Sequence, residues 1–212
     1  MCRLLVVRDD TPFEAGPLVA QFAAAARASK EYQGDGWGCS WQTPDGWRHY
    51  HSVTPIWDDR VEQLGRTPLL VAHARSAFRN EGIAVENNMP FVDGELVFAF
   101  NGELRGVRIA EDGATGAAKL LRFLVRMGSQ RTVEGLAKGL DVIAGRTRYV
   151  RAMNLVIANG TTVLVANRFS EDPDYFTMRR VQRGTRRMVA SDPIDAGADW
   201  TPLGNGVVME LA

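Results

Sequence analysis

The chain has 212 residues, 25 basic and 25 acidic side chains and an apolar fraction of 45%, the profile of a globular protein without net charge. A domain of this length buries roughly 70% of its unfolded surface, so we expect one domain over residues 1–212. Zero net charge argues against a nucleic-acid binder, whose affinity comes mainly from neutralising phosphates. The start of the chain reaches Asp9 too soon for a signal peptide, and no apolar run approaches the roughly 18 residues of a membrane helix. We expect a cytoplasmic protein that acts on a small molecule and binds no membrane or nucleic acid.

The first predicted elements are a strand, a helix and a hairpin. Residues 3–7 form a compact apolar run that ends at the turn-forming residues 9–12. The alanine-rich residues 15–29 have apolar side chains on one helical face. Residues 38–50 then read as two short strands around a turn at residues 43–46.

The next elements are buried strands and a helix. Residues 69–73 and 96–100 are continuous apolar runs, which are typical of strands covered on both faces. The pattern predicts a helix over residues 114–127, and Gly128 is its expected stop.

The last elements are strands. Asn-Gly at positions 159–160, between the apolar runs 153–158 and 161–166, is a strong signal for a two-residue hairpin. Further strands are predicted at residues 187–191 and 206–211. Because no linker or repeat divides the chain, we expect one mixed domain of helices and many strands.

The cysteines are the first candidate functional residues. Cys2 and Cys39 are too few for a disulfide framework and lack the spacing of a zinc or redox site. Methionine aminopeptidases remove Met1 when the second residue is small, which would make Cys2 the N-terminus. Its thiol would then lie beside an α-amine whose reference pKa of about 7.7–8.0 is close to the thiol's own. One residue would supply both nucleophile and base, although a cysteine can also be a small buried hydrophobe.

Two further segments fit acyl-transfer chemistry. Asn101 and Gly102 follow an apolar strand, and an amide side chain next to a glycine N–H offers two donors for an oxyanion. An ordinary hairpin turn is the alternative interpretation of this pair. Arg75 follows another buried strand, where its guanidinium could bind a substrate carboxylate with two hydrogen bonds. The alternative is an exposed arginine at a strand end.

We expect no metal and no cofactor. His49 and His51 share a strand face, but two imidazoles are not a metal site and only His73 remains elsewhere. The glycines of residues 34–38 lack the pattern of a phosphate-binding loop. The arginine-rich residues 179–187 are expected to form the solvated arms of a hairpin.

These segments together resemble the class II glutamine amidotransferases, a branch of the N-terminal-nucleophile hydrolases, and especially their small stand-alone type. The resemblance extends over almost the whole chain and keeps the family's order. The matching segments are Met1-Cys2 with the processed start, residues 35–38 with DGWG, residues 72–75 with AHxR, residues 86–91 with ENxHPF, Asn101-Gly102 with HNG and residues 190–193 with ASEP.

The resemblance implies a fold, a reaction and roles for the site residues. The fold is α+β, a four-layer αββα sandwich of two antiparallel sheets with helices outside, and Cys2 lies at the mouth of the cleft between the sheets. Cys2 attacks the side-chain amide of glutamine or a γ-glutamyl compound, forms a γ-glutamyl thioester and releases ammonia or an amine. Asn101 and Gly102 hold the oxyanion, and Arg75 binds the α-carboxylate.

The sequence departs from the family pattern at several positions. Met89 and Phe100 replace histidines, and Phe78 replaces a small polar residue. The acid that binds the substrate's α-ammonium falls on Ala114 or Gly116, depending on the alignment. A hydrogen bond to a charged group is worth roughly 1.5–3 kcal/mol, so free glutamine should bind poorly.

Several explanations of the missing acid remain open. Asp112 or Glu111 has moved into the role, or the substrate carries a blocked or absent α-amine, or activity has been lost. We assign Asp112 as the candidate and favour the first two explanations, because the other site residues remain.

The sequence therefore predicts an enzyme that cleaves γ-glutamyl amides. It either releases its product directly or supplies ammonia to a separate synthase or ligase subunit. The alternative is a catalytically degenerate regulatory or assembly subunit with the same fold. The sequence leaves the oligomeric state open.

Overall fold

The computed structural model describes residues 1–61, 64–77 and 81–212, so Phe78 lies outside the described residues. Within this part of the chain, the strands form two antiparallel sheets and the helices are four. The strands are β1 (Arg3–Glu14), β2 (Trp37–Thr43), β3 (Gly46–Ser52), β4 (Arg66–Ala74), β5 (Phe91–Asp93), β6 (Leu96–Val107), β7 (Thr147–Ala158), β8 (Val163–Asn167), β9 (Arg179–Arg183), β10 (Arg186–Ala190), β11 (Thr201–Pro202) and β12 (Val207–Glu210). The helices are α1 (Ala15–Arg27), α2 (Gly116–Arg126), α3 (Val133–Gly145) and α4 (Pro173–Phe176).

The first sheet has seven strands in the order β11-β9-β10-β1-β4-β2-β3. Its central strands are apolar on both faces because both faces are covered. Leu5 and Val7 point to the side of α1, where they share a hydrophobic cluster with Phe22. Leu4 and Val6 point to the opposite side, as the alternation of a strand requires, and join the cluster of the second sheet.

The second sheet has five strands in the order β12-β8-β7-β6-β5. One face packs on the first sheet, where β6 approaches β1 and β4, and the other is covered by α2 and α3. The layers are therefore α1, the seven-stranded sheet, the five-stranded sheet, and α2 with α3. The predicted α+β sandwich of two antiparallel sheets is confirmed.

Three sequence expectations about elements need correction. Strand β1 does not turn at residues 9–12 but continues to Glu14 through an irregular register, and the Asp9 carboxylate is held by Thr185 and Arg186. The connection after β7 has four residues and not two, because the side chain of Asn159 accepts hydrogen bonds from backbone N–H groups further along it.

The third correction concerns helix α3, which we did not predict. Its apolar side chains, Leu136, Leu140 and Ile143, have helical spacing and are buried. Glycines interrupt the pattern, which hides the helix from a propensity argument. Gly139 has a packing reason, since a Cβ at this position would lie 2.8 Å from Leu124 of α2.

The other predicted elements are confirmed within a few residues. The hairpin of β2 and β3, the strands β4 and β6, helix α2 and the last strands all lie where the sequence indicates. The arginine-rich segment forms the hairpin of β9 and β10, which turns at Gly184. None of the described helices is both long and apolar enough to cross a bilayer.

Candidate active site

Cys2 lies immediately before β1, at one end of a cavity between the two sheets. The cavity has a volume of about 640 Å³, within the range of small-molecule sites. Strand β1 enters the core directly, which fixes Cys2 at the rim. Cys2, Arg75 and Gly102 all line this cavity, so the structure brings together three of the residues that the sequence singled out.

The sulfur of Cys2 is held by the segment that follows β4. The Ser76 N–H donates to Sγ at 3.5 Å, and Sγ lies 3.7 Å from the Ser76 carbonyl oxygen. Burial raises the pKa of the Cys2 thiol, while the Ser76 N–H and the charges of the N-terminus and Arg75 oppose that rise. The thiol is therefore mainly protonated at neutral pH and needs a base to take its proton.

Arg75 is buried at the end of β4, where residues 35–38 hold its backbone. The Arg75 N–H donates to the Gly36 carbonyl at 2.9 Å, and the Asp35 N–H donates to the Arg75 carbonyl at 3.2 Å. The Asp35 carboxylate accepts from the Ala77 N–H at 2.7 Å. Gly36 has a φ of 112°, a conformation that favours glycine. The Asp-Gly-Trp-Gly segment thus positions the arginine.

The guanidinium of Arg75 has little competition for its donors. Its Nη1 donates to the Asn88 side-chain oxygen at 3.4 Å, and no carboxylate of the described residues forms an ion pair with it. Asn88 is itself fixed by a 2.7 Å hydrogen bond to the Ser52 carbonyl. A buried guanidinium held by a neutral amide retains donors for an anionic substrate.

Gly102 lies in β6 on the cavity wall, where the backbone is closely packed. A Cβ at this position would lie 2.1 Å from the carbonyl oxygen of Ala152 on β7. Any side chain at this position would displace the neighbouring strand β7. Glycine leaves the β6 backbone uncovered at the cavity wall.

Asn101 is fully buried but does not line the cavity. Neither polar atom of its side chain has a hydrogen-bond partner among residues 1–61, 64–77 and 81–212. An unpaired buried amide is uncommon and costly. Its cross-strand neighbour Asn154 is the opposite case, since it donates to the Phe176 carbonyl and accepts from the Arg168 N–H.

The cavity wall carries charges of both signs. Its carboxylates are Glu31 and Glu103, and its cations besides Arg75 are Arg105, Lys119 and Arg151. Glu103 lies 2.5 Å from the Arg105 Nε and 3.6 Å from Arg151, so its charge is already compensated. The wall offers more to an anionic substrate than to a cationic one.

Asp112 does not lie where the sequence placed it. It is exposed and outside the cavity lining, although Thr115 and Gly116 of the same segment belong to that lining. Glu111 is also outside, where it binds the Arg126 side chain at 2.5 Å. The assignment of Asp112 to the substrate's ammonium has no geometric support, because the chain directs this acid to solvent before α2 begins.

Histidine does not supply a base at neutral pH. Burial lowers the pKa of His73 to about 3, with the Arg75 charge acting in the same direction, so its imidazole is too weak a base to take the thiol proton. His49 and His51 are engaged separately, with the Ser40 hydroxyl and the Pro90 carbonyl. Among the side chains that the structure describes, no group of three or more potential ligands is arranged for a metal ion.

Met1 lies beside Cys2 in the cavity lining, and side chains hold both its ammonium and its carbonyl group. Its ammonium pairs with Glu31. Its carbonyl oxygen accepts from Gln33 Nε2 and from the Tyr175 hydroxyl, each at 2.6 Å. The sequence did not point to Gln33 or Tyr175, since neither belongs to a recognisable motif.

No family model matches this sequence, and no curated protein does. Two solved structures are similar to it in fold. A glutamine aminotransferase class-II domain protein from Silicibacter pomeroyi is 18% identical with a TM-score of 0.69, covering 99% of this chain and 94% of its own. A predicted glutamine amidotransferase from Pseudomonas aeruginosa PA01 is 16% identical with a TM-score of 0.59, covering 99% and 96%. At these identities, the likeness shows a shared fold.

Proposed function

We propose that this protein is a cysteine amidohydrolase that cleaves the γ-amide of glutamine or of a γ-glutamyl compound. The observation that carries the proposal is the convergence of the Cys2 sulfur, the Gly102 backbone and the Arg75 guanidinium on one cavity. Proteins named as glutamine amidotransferases share the fold, which supports the same chemistry.

The reaction begins with removal of Met1, which turns the Cys2 nitrogen into an amine. The amine takes the thiol proton, and the sulfur forms a bond to the amide carbon. The carbon–nitrogen bond then breaks as the protonated amine gives its proton to the leaving nitrogen, releasing ammonia or an amine. Water hydrolyses the resulting thioester, which frees the carboxylate product and restores the thiol. No histidine takes part, in agreement with the low pKa of His73, which makes its imidazole a weak base.

The Gly102 backbone and the Asn101 amide are proposed to stabilise the oxyanion. Gly102 lies on the cavity wall, whereas the Asn101 side chain is buried outside the lining and reaches the oxyanion only by turning toward the cavity. Because the Asn101 amide has no partner in the described structure, it gives up no existing hydrogen bond when it serves the reaction. Donors that are held ready in this way account for a large part of the rate in acyl transfer.

The charge pattern favours a substrate that lacks a free α-ammonium. Arg75 is available for a carboxylate, whereas Glu103 is compensated by Arg105 and Arg151, and Asp112 is exposed. A free ammonium would therefore meet only the Glu31 carboxylate among the described wall residues, which Met1 removal frees from the N-terminal ammonium but which keeps the Arg151 guanidinium at 3.6 Å. A γ-amide whose α-amine is acylated or absent avoids that cost.

A substrate panel tests the proposal. Ammonia release is measured from glutamine, N-acetylglutamine and glutaramate, with the Cys2→Ala variant as the control. We expect N-acetylglutamine or glutaramate to exceed glutamine in kcat/KM by about tenfold, the value of one lost charged contact. Absence of release from every amide, in protein whose mass shows that Met1 is gone, would instead favour a regulatory or assembly subunit.

Arg75 has its own test in the same assay. Arg75→Lys keeps the charge but loses the planar pair of donors, so we expect KM to rise about tenfold or more with a smaller change in kcat. An unchanged KM would contradict the role of Arg75 in binding the carboxylate. Whether the ammonia is released or passed to a separate synthase is decided by adding candidate synthases to this assay.

A further inference from the structure

Two buried polar side chains hold the carbonyl of Met1, the residue before Cys2. Tyr175 and Gln33 each donate to that carbonyl at 2.6 Å. Gln33 is fully buried and its Nε2 also donates to the Glu31 carbonyl at 2.8 Å and lies 3.3 Å from the Tyr175 oxygen. Two buried side chains thus bind one carbonyl group, which the removal of Met1 would take away.

The Met1 carbonyl and the Cys2 nitrogen belong to the same planar peptide group. When Met1 leaves, the Tyr175 hydroxyl loses its acceptor and Gln33 keeps the Glu31 carbonyl and the Tyr175 oxygen, while the Cys2 nitrogen, an atom of the same peptide group, becomes an amine. Buried polar groups rarely stay unpaired, because an unpaired donor or acceptor costs the whole desolvation penalty. The amine and the tyrosine hydroxyl are therefore each other's available partners.

We infer that, after Met1 removal, the Tyr175 hydroxyl hydrogen-bonds the Cys2 α-amine and holds it beside the thiol, with Gln33 fixing the hydroxyl. Tyr175 is a positioning residue in this role, since it acts on the base and not on the substrate. The inference rests on the proposed function only in its use of a free Cys2 amine.

The surroundings of Tyr175 suit this role. The Arg3 guanidinium lies 3.8 Å from the centre of the tyrosine ring, and its Nη1 donates to the Tyr175 carbonyl at 3.0 Å, so the ring is clamped. Burial raises the pKa of Tyr175 to about 12, which keeps the phenol protonated at neutral pH. Glu31 is the other group released by Met1, but its side chain is 31% exposed and water screens its charge.

The test compares two forms of the protein, one with Met1 removed and one with Met1 retained, each verified by intact mass. The rate of Cys2 alkylation by iodoacetamide at pH 7 is followed by peptide mass spectrometry, which requires no turnover. We expect Tyr175→Phe to lower this rate about tenfold in the processed form and to leave it within about twofold in the Met1 form. Gln33→Met, which keeps the volume but removes the amide, should act in the same direction.

Tyr149→Phe is the matched control, because the hydroxyl of Tyr149 binds the exposed Glu171 and not the Met1 carbonyl, and it should change neither rate. Equal effects of Tyr175→Phe on both forms, or no effect on either, would overturn the inference. If Tyr175→Phe does not fold, Gln33→Met decides in its place. A lower rate of Cys2 alkylation in the processed form alone would support the inference, and equal rates in the two forms would overturn it. A positioning effect in a protein that hydrolyses no amide would preserve this inference and refute the proposed function.

Discussion

Cys2 and Cys39 lie in two regions that treat a thiol in opposite ways. Cys39 is fully buried in β2, in the hydrophobic cluster beneath α1, and burial raises its pKa far above the ordinary value. Cys2 is half-buried, its sulfur contacts backbone polar groups of Ser76, and it opens into the cavity. The core around Cys39 disfavours the thiolate because it excludes water and charge. The cavity around Cys2 keeps the Ser76 N–H and the Arg75 charge, which favour the thiolate.

The asparagine pair across β6 and β7 shows the same contrast. Asn154 has its hydrogen bonds satisfied within the fold, and Asn101 has none. A chain tolerates an unpaired buried amide only at some cost in stability, and such costs are concentrated at functional sites. We expect Cys2 and the unpaired Asn101 to serve the reaction, and Cys39 and Asn154 to serve stability, and paired substitutions test this division.

The cysteines give the largest expected difference. Cys2→Ala should lower kcat at least about 10³-fold while changing the free energy of unfolding by less than about 0.5 kcal/mol. Cys39→Ala should leave kcat within about twofold but cost about 1 kcal/mol of stability, because it removes a buried sulfur. Urea unfolding and amide hydrolysis of both variants measure the two quantities. Full activity of Cys2→Ala would show that the Cys2 thiol is not the nucleophile.

The asparagines should separate function from stability next. Asn101→Ala should lower kcat about 10²-fold or more, the usual effect of losing an oxyanion donor, with little loss of stability. Asn154→Ala should cost about 1–3 kcal/mol, because it leaves the Phe176 carbonyl and the Arg168 N–H unpaired. The same two assays apply. A large stability loss in Asn101→Ala with normal kcat would show that its amide is structural.

Two glycines of the cavity wall sharpen the comparison further. Gly102→Ala should cost about 1–3 kcal/mol, since its Cβ would lie 2.1 Å from the Ala152 carbonyl oxygen. Gly116→Ala should be neutral or slightly stabilising, because no atom of the described residues lies within 4 Å of its Cβ position and Gly116 begins a helix. Thermal unfolding measures both, and similar melting temperatures for the two variants would contradict the close packing of Gly102.

The last expected effect is a pH dependence of stability that comes from His73. The pKa of this buried imidazole falls from 6.5 to about 3 on folding, so the unfolded chain binds the proton that the native state refuses. The contribution of His73 to the free energy of unfolding is fully present above pH 6.5 and is lost as the pH falls towards 3. The slope is at most about 1.4 kcal/mol per pH unit. Urea unfolding between pH 7 and 5 measures the slope. His73→Gln should show a shallower slope, and an unchanged slope would refute the neutral, buried imidazole.

Much of the fold could be predicted because local patterns carry it. The β2–β3 hairpin follows from turn residues between apolar arms, and the buried strands β4 and β6 follow from continuous apolar runs. Helix α3 was missed because glycines interrupt its pattern, and one of them, Gly139, serves packing against α2, a tertiary demand that no local propensity records.

The site was predictable only where it follows a strand or the chain start. Cys2, Arg75 and Gly102 could be found because each lies at the end of an apolar run or within one of the recognised segments. Gln33 and Tyr175 are 142 positions apart and meet only in the folded chain. Asp112 is exposed outside the cavity lining, and the sequence could not show this because the direction of a loop before a helix depends on how that helix packs.

The most direct test of the central claim is peptide mapping by mass spectrometry after incubation with 6-diazo-5-oxo-norleucine or its N-acetyl form. We expect a chain that begins at Cys2, with a single adduct on the Cys2 sulfur and none on Cys39. A retained Met1, or an adduct on Cys39 in place of Cys2, would contradict it.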